Sequence, residues 1–300
     1  MRNPNLRDCT RRSRERSGKS ANRVFLSLVA ASVFGTAVLA QTDAPIQSSA
    51  RPFGLNIQDK VKVGGSDTKS ATFQRNYLSK MRELAMLNLP ESKPLSDETI
   101  GLRKIDPNKL KIFNDSDVRV YFLGEGAGYR NSFGFNTNGA GVTGGDPKLL
   151  FPDASTTVAN GPNNGSGGSR SSSAPLLPGD FVDLGRITGG TQLNFFNISN
   201  GATGGNTVFS TQHSANQDGM VHAVAYALPD SPYLLIGFED LWGGGDKDYN
   251  DVLFTIDIGL ANVAKLSGPE PATPLILGLF LTMTGLVYRR QRRAEASVPK

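Results

Sequence analysis

The sequence predicts an all-β domain, an antiparallel β-sandwich of jelly-roll-like type, in a chain that begins and ends in sorting segments. Three observations support this prediction. From about residue 111 the chain consists of nine short apolar or alternating runs separated by Gly, Asn, Pro and Ser. No helical periodicity lies between these runs, which argues against a parallel βαβ sheet. Apolar segments next to basic clusters lie near both termini.

Residues 1–40 are predicted to be a signal peptide. A basic region precedes the apolar stretch Val24–Leu39, and Val38 and Ala40 place small residues at the −3 and −1 positions of a cleavage site before Gln41. A permanent N-terminal anchor is the alternative. The cleavage-like end of the apolar stretch favours removal.

Residues 41–110 are predicted to form an extended leader followed by one amphipathic helix. Apolar residues recur at three- and four-residue intervals from Phe73 to Leu87, and Pro90 ends this pattern. We expect the apolar face of the helix to pack on the main domain rather than on a membrane.

The predicted β-sandwich domain occupies residues 111–262. Strands are expected where apolar residues alternate with polar ones, or form short runs between turn residues. The alternation is clearest at Val118, Val120 and Phe122. The nine predicted strands are Val118–Leu123, Ser132–Phe135, Lys148–Phe151, Asp180–Leu184, Gln192–Ile198, Thr207–Thr211, Met220–Leu228, Tyr233–Phe238 and Val252–Ile258.

The C-terminal tail combines a tripeptide, an apolar segment and a basic cluster in that order. Residues 263–271 form a predicted linker that ends in the tripeptide Pro269, Glu270 and Pro271. Residues 272–288 carry no charge and are just long enough for a single transmembrane helix, since ~20 apolar residues at ~1.5 Å each cross ~30 Å of hydrocarbon. Residues 289–300 form a basic tail that we expect to stay in the cytoplasm. Its cluster consists of Arg289, Arg290, Arg292 and Arg293.

This three-part tail resembles the bacterial PEP-CTERM sorting signal. The resemblance implies that an exosortase, a membrane transpeptidase-like protease, reads the tripeptide and removes the helix. Signal peptidase and exosortase would then be transient partners. The body would be anchored outside the inner membrane before it reaches the cell surface or the extracellular space. An ordinary C-terminal anchor that happens to follow Pro-Glu-Pro is the alternative.

Composition excludes several classes of function. Residues 1–40 hold 8 of the 32 basic and 2 of the 27 acidic residues, and residues 272–300 hold 5 and 1. The remaining chain has 19 basic and 24 acidic residues, a net charge of −5 against +5 for the whole sequence. A mildly acidic body argues against nucleic-acid binding and suits cations. Cys9, the only cysteine, lies in the predicted signal peptide, so the exported chain has no thiol for disulfides, metals or catalysis.

The most specific internal segment is the acidic turn between the last two predicted strands. Like charges this close in sequence repel each other unless water or a cation compensates them. Ca²⁺ takes about six to eight oxygen ligands, and the alternate spacing D-x-D-x-N is typical of its loops. The sequence therefore predicts a Ca²⁺ site in this turn. Its principal ligands would be Asp246, Asp248, Asn250 and Asp251, with Glu239 and Asp240 as further candidates.

Two alternatives remain for the acidic turn. Its Asp and Asn side chains could cap their own hairpin in water without a metal. Mg²⁺ is less favoured than Ca²⁺, because proteins seldom hold Mg²⁺ in all-protein cages. An EF-hand is excluded, since Asp251 stands where that loop requires glycine and a strand follows instead of a helix.

The segment Phe238–Val252 reads FEDLWGGGDKDYNDV. It resembles the C-terminal signature of the bacterial domain of unknown function 4114. Weaker similarities at Phe122–Asn131 and Leu177–Asp180 extend the resemblance over Val118–Asp257. The resemblance implies a β-rich extracellular module of surface or adhesin-like proteins, and it implies no established activity.

Together these patterns predict a noncatalytic exported protein of the cell envelope or extracellular matrix, with a calcium-stabilised β-sandwich. The first alternative is a calcium-dependent carbohydrate-binding or adhesin module, whose partners would be exopolysaccharide or other surface proteins. Trp242, beside Tyr249, could stack on a sugar ring or pack against the glycine turn. The second alternative is a hydrolase with paired carboxylates. No sequence pattern marks one carboxylate as buried and its partner as ionised.

Overall fold

A computed structural model describes residues 46–96, 105–159 and 168–268. The predicted signal peptide, the Pro-Glu-Pro tripeptide, the transmembrane segment and the basic tail lie outside the described residues. Within the described ranges, no helix is both long enough and apolar enough to cross a membrane.

The described chain is mostly β-structure. Its strands are β1 Ser116–Glu125, β2 Ser132–Thr137, β3 Lys148–Phe151, β4 Phe181–Ile187, β5 Leu193–Ser199, β6 Thr207–Ser210, β7 Ala223–Ala227, β8 Tyr233–Phe238 and β9 Val252–Asp257. A five-stranded sheet has the order β4-β1-β9-β8-β7, and a four-stranded sheet has the order β3-β2-β5-β6. All the strand pairs are antiparallel.

The predicted antiparallel all-β domain is confirmed, and the two sheets are consistent with a β-sandwich. Strands β3 and β8 have the predicted bounds, and the bounds of the other strands differ from the predicted ones by at most three residues. The agreement follows from the local nature of the signal, because alternation and turn residues can be read within single segments.

The main core lies between the two sheets and is rich in phenylalanine. Phe133 of β2 stacks on Phe254 of β9, with ring centroids 3.5 Å apart. Phe151 and Phe195 also stack with this pair. All four side chains are fully buried. Buried aromatic rings supply large apolar areas, so this contact between β2 and β9 joins the sheets.

Two helices cover the outer face of the five-stranded sheet, where the sequence predicts one. They are α1 Thr68–Asn76 and α2 Leu78–Asn88. The predicted single helix is wrong because Tyr77 leaves the helical conformation, at φ −129°. Its ring packs on Tyr233 of β8, with centroids 4.7 Å apart. The apolar face does pack on the domain as expected, in a second buried cluster that includes Met81 and Leu253.

The predicted leader also contacts the sheets. Ile57 forms a parallel bridge with Leu149 of β3, and Lys62 forms an antiparallel bridge with Phe181 of β4. These bridges hold the leader against one strand of each sheet.

A third helix, α3 Leu260–Ser267, follows β9, and the domain boundary predicted at residue 262 lies inside it. The side-chain oxygen of Asn262 accepts hydrogen bonds from the backbone N–H groups of Phe113 and Asn114, both at 2.9 Å. Its amide donates to the carbonyl of Ile258. This buried side chain ties α3 to the segment that precedes β1.

Candidate metal centre

The β8–β9 loop, residues 239–251, joins two neighbouring strands of the five-stranded sheet. Gly245 adopts φ 47° and ψ −132°, a backbone conformation that favours glycine. A Cβ atom at this position would lie 2.5 Å from Oε2 of Glu239. The loop therefore requires glycine at residue 245 both for its backbone and for the space beside Glu239.

In the predicted D-x-D-x-N pattern, the residues between the potential ligands Asp246, Asp248 and Asn250 have left-handed backbone conformations. Lys247 has φ 60° and Tyr249 has φ 58°. Such conformations cost non-glycine residues on the order of 1 kcal/mol, so the surrounding contacts must enforce them. Tyr249 is held by burial and by its hydroxyl, which donates to the carbonyl of Val221 at 3.1 Å.

Carboxylate oxygens of Glu91, Asp246 and Asp248 lie within 4.8 Å of one another. Asp248 is buried, whereas the other two side chains are exposed. Asn250 joins them, because its Nδ2 donates to Asp248 at 2.7 Å and to Glu91 at 3.2 Å. We call Glu91, Asp246, Asp248 and Asn250 the outer cluster.

Glu91 is the member of the outer cluster that sequence reasoning misses. It lies just after α2, in a Pro- and Ser-containing connection with no metal-ligand spacing around it. Contacts between distant segments bring it to the β8–β9 loop, so no local sequence signal could have found it.

Asn250 can present either of two atoms to the outer cluster. Rotation of its carboxamide exchanges the NH₂ group with the oxygen. In the described arrangement the NH₂ group bridges two carboxylates, which relieves part of their repulsion. With a cation between the carboxylates, the rotated amide would supply an oxygen ligand instead.

Asp240 and Asp251 form a separate pair. The backbone N–H of Asp240 donates to Oδ2 of Asp251 at 2.9 Å, and Nδ2 of Asn131 donates to Asp240 at 2.6 Å. Burial raises the pKa of both carboxyls, and that of Asp251 rises to about 8 as the charges of Asp240 and Glu239 add to the effect of burial. Asp240 thus contacts Asn131, and neither Asp240 nor Asp251 belongs to the 4.8 Å group found among the described residues.

Glu239 lies buried between these two sets of acids. Its Oε1 accepts the N–H of Tyr249 at 2.8 Å, and its Oε2 has no hydrogen-bond partner among the described residues. Burial, together with the charges of Asp248 and Asp246, raises the pKa of Glu239 to about 7. A buried carboxylate oxygen without a partner is costly unless a proton or a cation compensates it.

The structure thus divides the six predicted ligands into three groups. Asp246, Asp248 and Asn250 lie together with Glu91 in the outer cluster. Asp240 and Asp251 pair with each other. Glu239 belongs to neither group and lies close to Gly245. The left-handed conformations of Lys247 and Tyr249 affect the directions of the neighbouring side chains of Asp246, Asp248 and Asn250, and spacing alone does not reveal them.

The two aromatic residues of the loop have different environments. Trp242 is 59% exposed, and Leu241 beside it is 44% exposed. Tyr249 is buried. Trp242 is therefore the aromatic side chain of this loop that solvent can reach.

A buried histidine supports the start of the loop. Nε2 of His222 lies 2.8 Å from Oδ2 of Asp218, and the same oxygen accepts the N–H of Gly243 at 3.0 Å. The imidazole stacks on Phe209, with centroids 3.7 Å apart. This pair holds the backbone of the loop in place.

The β8–β9 loop lies in a part of the chain that matches a known protein family. Residues 187–259 match the family model of DUF4114, a domain of unknown function. The DUF4114 match extends from the last residue of β4 through β9 and includes the entire β8–β9 loop. The recognition of this family from the sequence is confirmed for these residues. Glu91 and strands β1 to β3 lie outside the match, and neither a curated protein nor a solved structure matches the chain.

Proposed function

We propose that this chain is a noncatalytic exported protein of the cell envelope or extracellular matrix, and that Ca²⁺ bound at the outer cluster stabilises its β-sandwich. The observation that carries the proposal is the 4.8 Å grouping of carboxylate oxygens from Glu91, Asp246 and Asp248. Oxygens that share one Ca²⁺ lie about 2.3–2.6 Å from it, and hence at most about 5 Å apart. The spacing fits that limit.

The bound ion would connect two parts of the fold. Glu91 follows α2, and the other members of the outer cluster precede β9, so one ion would link the helices to the sheet. In the ion-free state the three carboxylates repel each other, which opposes this contact. A ligand that binds only the native state raises the free energy of unfolding of the protein once the ligand concentration exceeds the dissociation constant.

Export supplies the conditions for a weak site. We propose that signal peptidase removes residues 1–40 and that an exosortase acts at the tripeptide Pro269, Glu270 and Pro271, since both terminal patterns fit this route. Extracellular calcium modules have dissociation constants on the order of 10⁻⁴ to 10⁻³ M. The exposed side chains of Glu91 and Asp246 suit an affinity in that range.

Thermal unfolding of the purified full chain with chelator and with millimolar Ca²⁺ tests the stabilising ion. We expect Ca²⁺ to raise the melting temperature, and Asp246→Asn with Asp248→Asn to abolish the rise. Asp230→Asn is the matched control, because Asp230 is an exposed aspartate on another loop with φ 51°, which asparagine tolerates. An equal rise in the double variant would rule out the outer cluster.

A second candidate function is calcium-dependent binding of carbohydrate, such as exopolysaccharide. The exposure of Trp242 on the same loop as Asp246 favours it, because an exposed indole can stack on a sugar ring. A glycan array with Ca²⁺, with chelator and with Trp242→Ala separates the two functions. Sugar binding that needs both Ca²⁺ and Trp242 supports the carbohydrate-binding function. Absence of sugar binding under all of these conditions supports the purely structural role of Ca²⁺.

A further inference from the structure

A groove of about 550 Å³ lies between α2 and the five-stranded sheet. Small-molecule sites typically have volumes of about 300–1,000 Å³ and mainly apolar walls with a few polar groups. The walls of this groove fit that description. Their aliphatic part consists of Ala85, Met86 and Leu89 of α2, with Leu123 of β1 and Leu253 of β9.

The polar lining of the groove is acidic. Glu91, Glu125 and Asn250 line it, and Oε2 of Glu125 accepts the N–H of Thr156 at 3.0 Å. Arg82 is the cationic residue of the lining. Its Nη1 donates to the carbonyl of Leu123 at 2.9 Å and its Nη2 to that of Ala159 at 3.0 Å, so these two groups already have acceptors in the wall.

More carboxylates lie near these polar groups. Asp248 hydrogen bonds to Asn250. Burial raises the pKa of Glu125, and the charges of Asp153, which pairs with Arg130, and of Asp240 contribute to the increase. The resulting negative potential attracts a cation and repels an anionic head group.

The lining also distinguishes between kinds of cation. None of the described residues that line the groove is aromatic. Quaternary ammonium groups are typically bound by aromatic faces, and sugar rings gain from the same surfaces. A primary ammonium instead donates hydrogen bonds to carboxylate and amide oxygens.

We propose that this groove binds a small amphiphilic amine, with its primary ammonium at Glu91, Glu125 and Asn250 and its aliphatic body along Met86, Leu89 and Leu253. This site overlaps the proposed Ca²⁺ site, because both use Glu91 and Asn250. The two ligands therefore oppose each other. Ca²⁺ weakens binding of the amine, and the amine weakens binding of Ca²⁺ by the same factor.

Calorimetric titration of the full chain with n-octylammonium at pH 8 in chelator tests the charge preference. Octanoate and octyltrimethylammonium carry the same tail with a negative head and with a head that lacks N–H groups. We expect n-octylammonium to bind at least about tenfold more tightly than either, and Glu125→Gln to weaken it about tenfold. Equal affinities for the three heads, or no effect of Glu125→Gln, would overturn the proposal.

A matched pair of substitutions on α2 tests the location. Met86 lines the groove, whereas Leu87 is 73% exposed and does not line it. Met86→Trp should fill the groove and abolish binding, and Leu87→Trp should leave it unchanged. Equal binding by both variants would place the ligand elsewhere. If Met86→Trp fails to fold, the head-group series and Glu125→Gln still decide the proposal. Because chelator is present throughout, failure here is distinguishable from failure of the Ca²⁺ site.

Discussion

The backbone N–H of Ser92 donates a 2.7 Å hydrogen bond to Oδ2 of Asp248. Three residues further on, the N–H of Leu95 donates to the carbonyl of Lys247 at 2.8 Å. The segment after α2 is thus bonded to the β8–β9 loop along its backbone. Glu91 is consequently held beside Asp246 and Asp248 without relying on a contact of its own side chain.

Asp248→Ala should destabilise the protein by about 2–4 kcal/mol even without metal. The Asp248 carboxylate accepts hydrogen bonds from the N–H groups of Ser92 and Asn250 and from the Asn250 amide. Alanine would leave those donors without this acceptor. Urea unfolding in chelator measures the change. Asp146→Ala, which removes an exposed ion pair with Lys148, is the control and should cost less than about 1 kcal/mol. Similar costs for both variants would contradict the role of Asp248.

Metal-free protein should lose stability as the pH rises from about 4 to about 8. Burial raises the pKa of Glu239 to about 7 and that of Asp251 to about 8, above their values in the unfolded chain. Between the unfolded and folded pKa values the native state binds more protons, so the free energy of unfolding falls with increasing pH. Urea unfolding from pH 4 to 9 in chelator follows this trend.

Glu239→Gln is the matched variant for that pH series. Glutamine keeps an acceptor for the N–H of Tyr249 but cannot ionise, so the decline with pH should become shallower and stability at pH 8 should increase. Ca²⁺ should also reduce the decline in the wild type. If the stability of the wild type in chelator did not change with pH, ionisation of these buried carboxylates would not destabilise the protein.

Arg119→Met should destabilise the domain by about 2 kcal/mol, because Asp67 loses its cationic partner and Asp183 keeps only Lys62. The Arg119 guanidinium is buried and bonds to Asp67 at the start of α1 and to Asp183 of β4. Although burial opposes it, Arg119 and the N–H of Ser70 hold the pKa of Asp67 well below its usual range. This contribution is therefore present above about pH 4 and is lost on further acidification. Urea unfolding at pH 7 and pH 3 should show a smaller difference between wild type and variant at pH 3.

Gly245→Ala and Gly243→Ala form a matched pair for the loop. Both glycines have positive φ, but a Cβ at Gly245 meets Glu239 whereas one at Gly243 has nothing within 4 Å. Backbone strain should cost each variant about 1 kcal/mol, and the contact should add about 1–3 kcal/mol for Gly245→Ala. Urea unfolding measures both costs. Equal losses would mean that Glu239 moves aside freely.

Features set by local sequence were predicted more accurately than features set by contacts between distant segments. The strands follow local alternation, as at Val118–Phe122, and were predictable to within a few residues. The helix break at Tyr77 was not, because it depends on contact with Tyr233 of a distant strand. At the site, the local pattern of Asp246, Asp248 and Asn250 identified three members of the outer cluster. Glu91 comes from a distant segment, and so does Asn131, which contacts Asp240.

The most direct test of the central claim is a crystal structure of the protein grown with Ca²⁺, with an anomalous map from a crystal soaked in Mn²⁺. We predict one ion about 2.3–2.6 Å from oxygens of Glu91, Asp246 and Asp248, with the Asn250 amide rotated to present its oxygen. Crystals with no ion at the outer cluster, or with the ion between Asp240 and Asp251 instead, would contradict it.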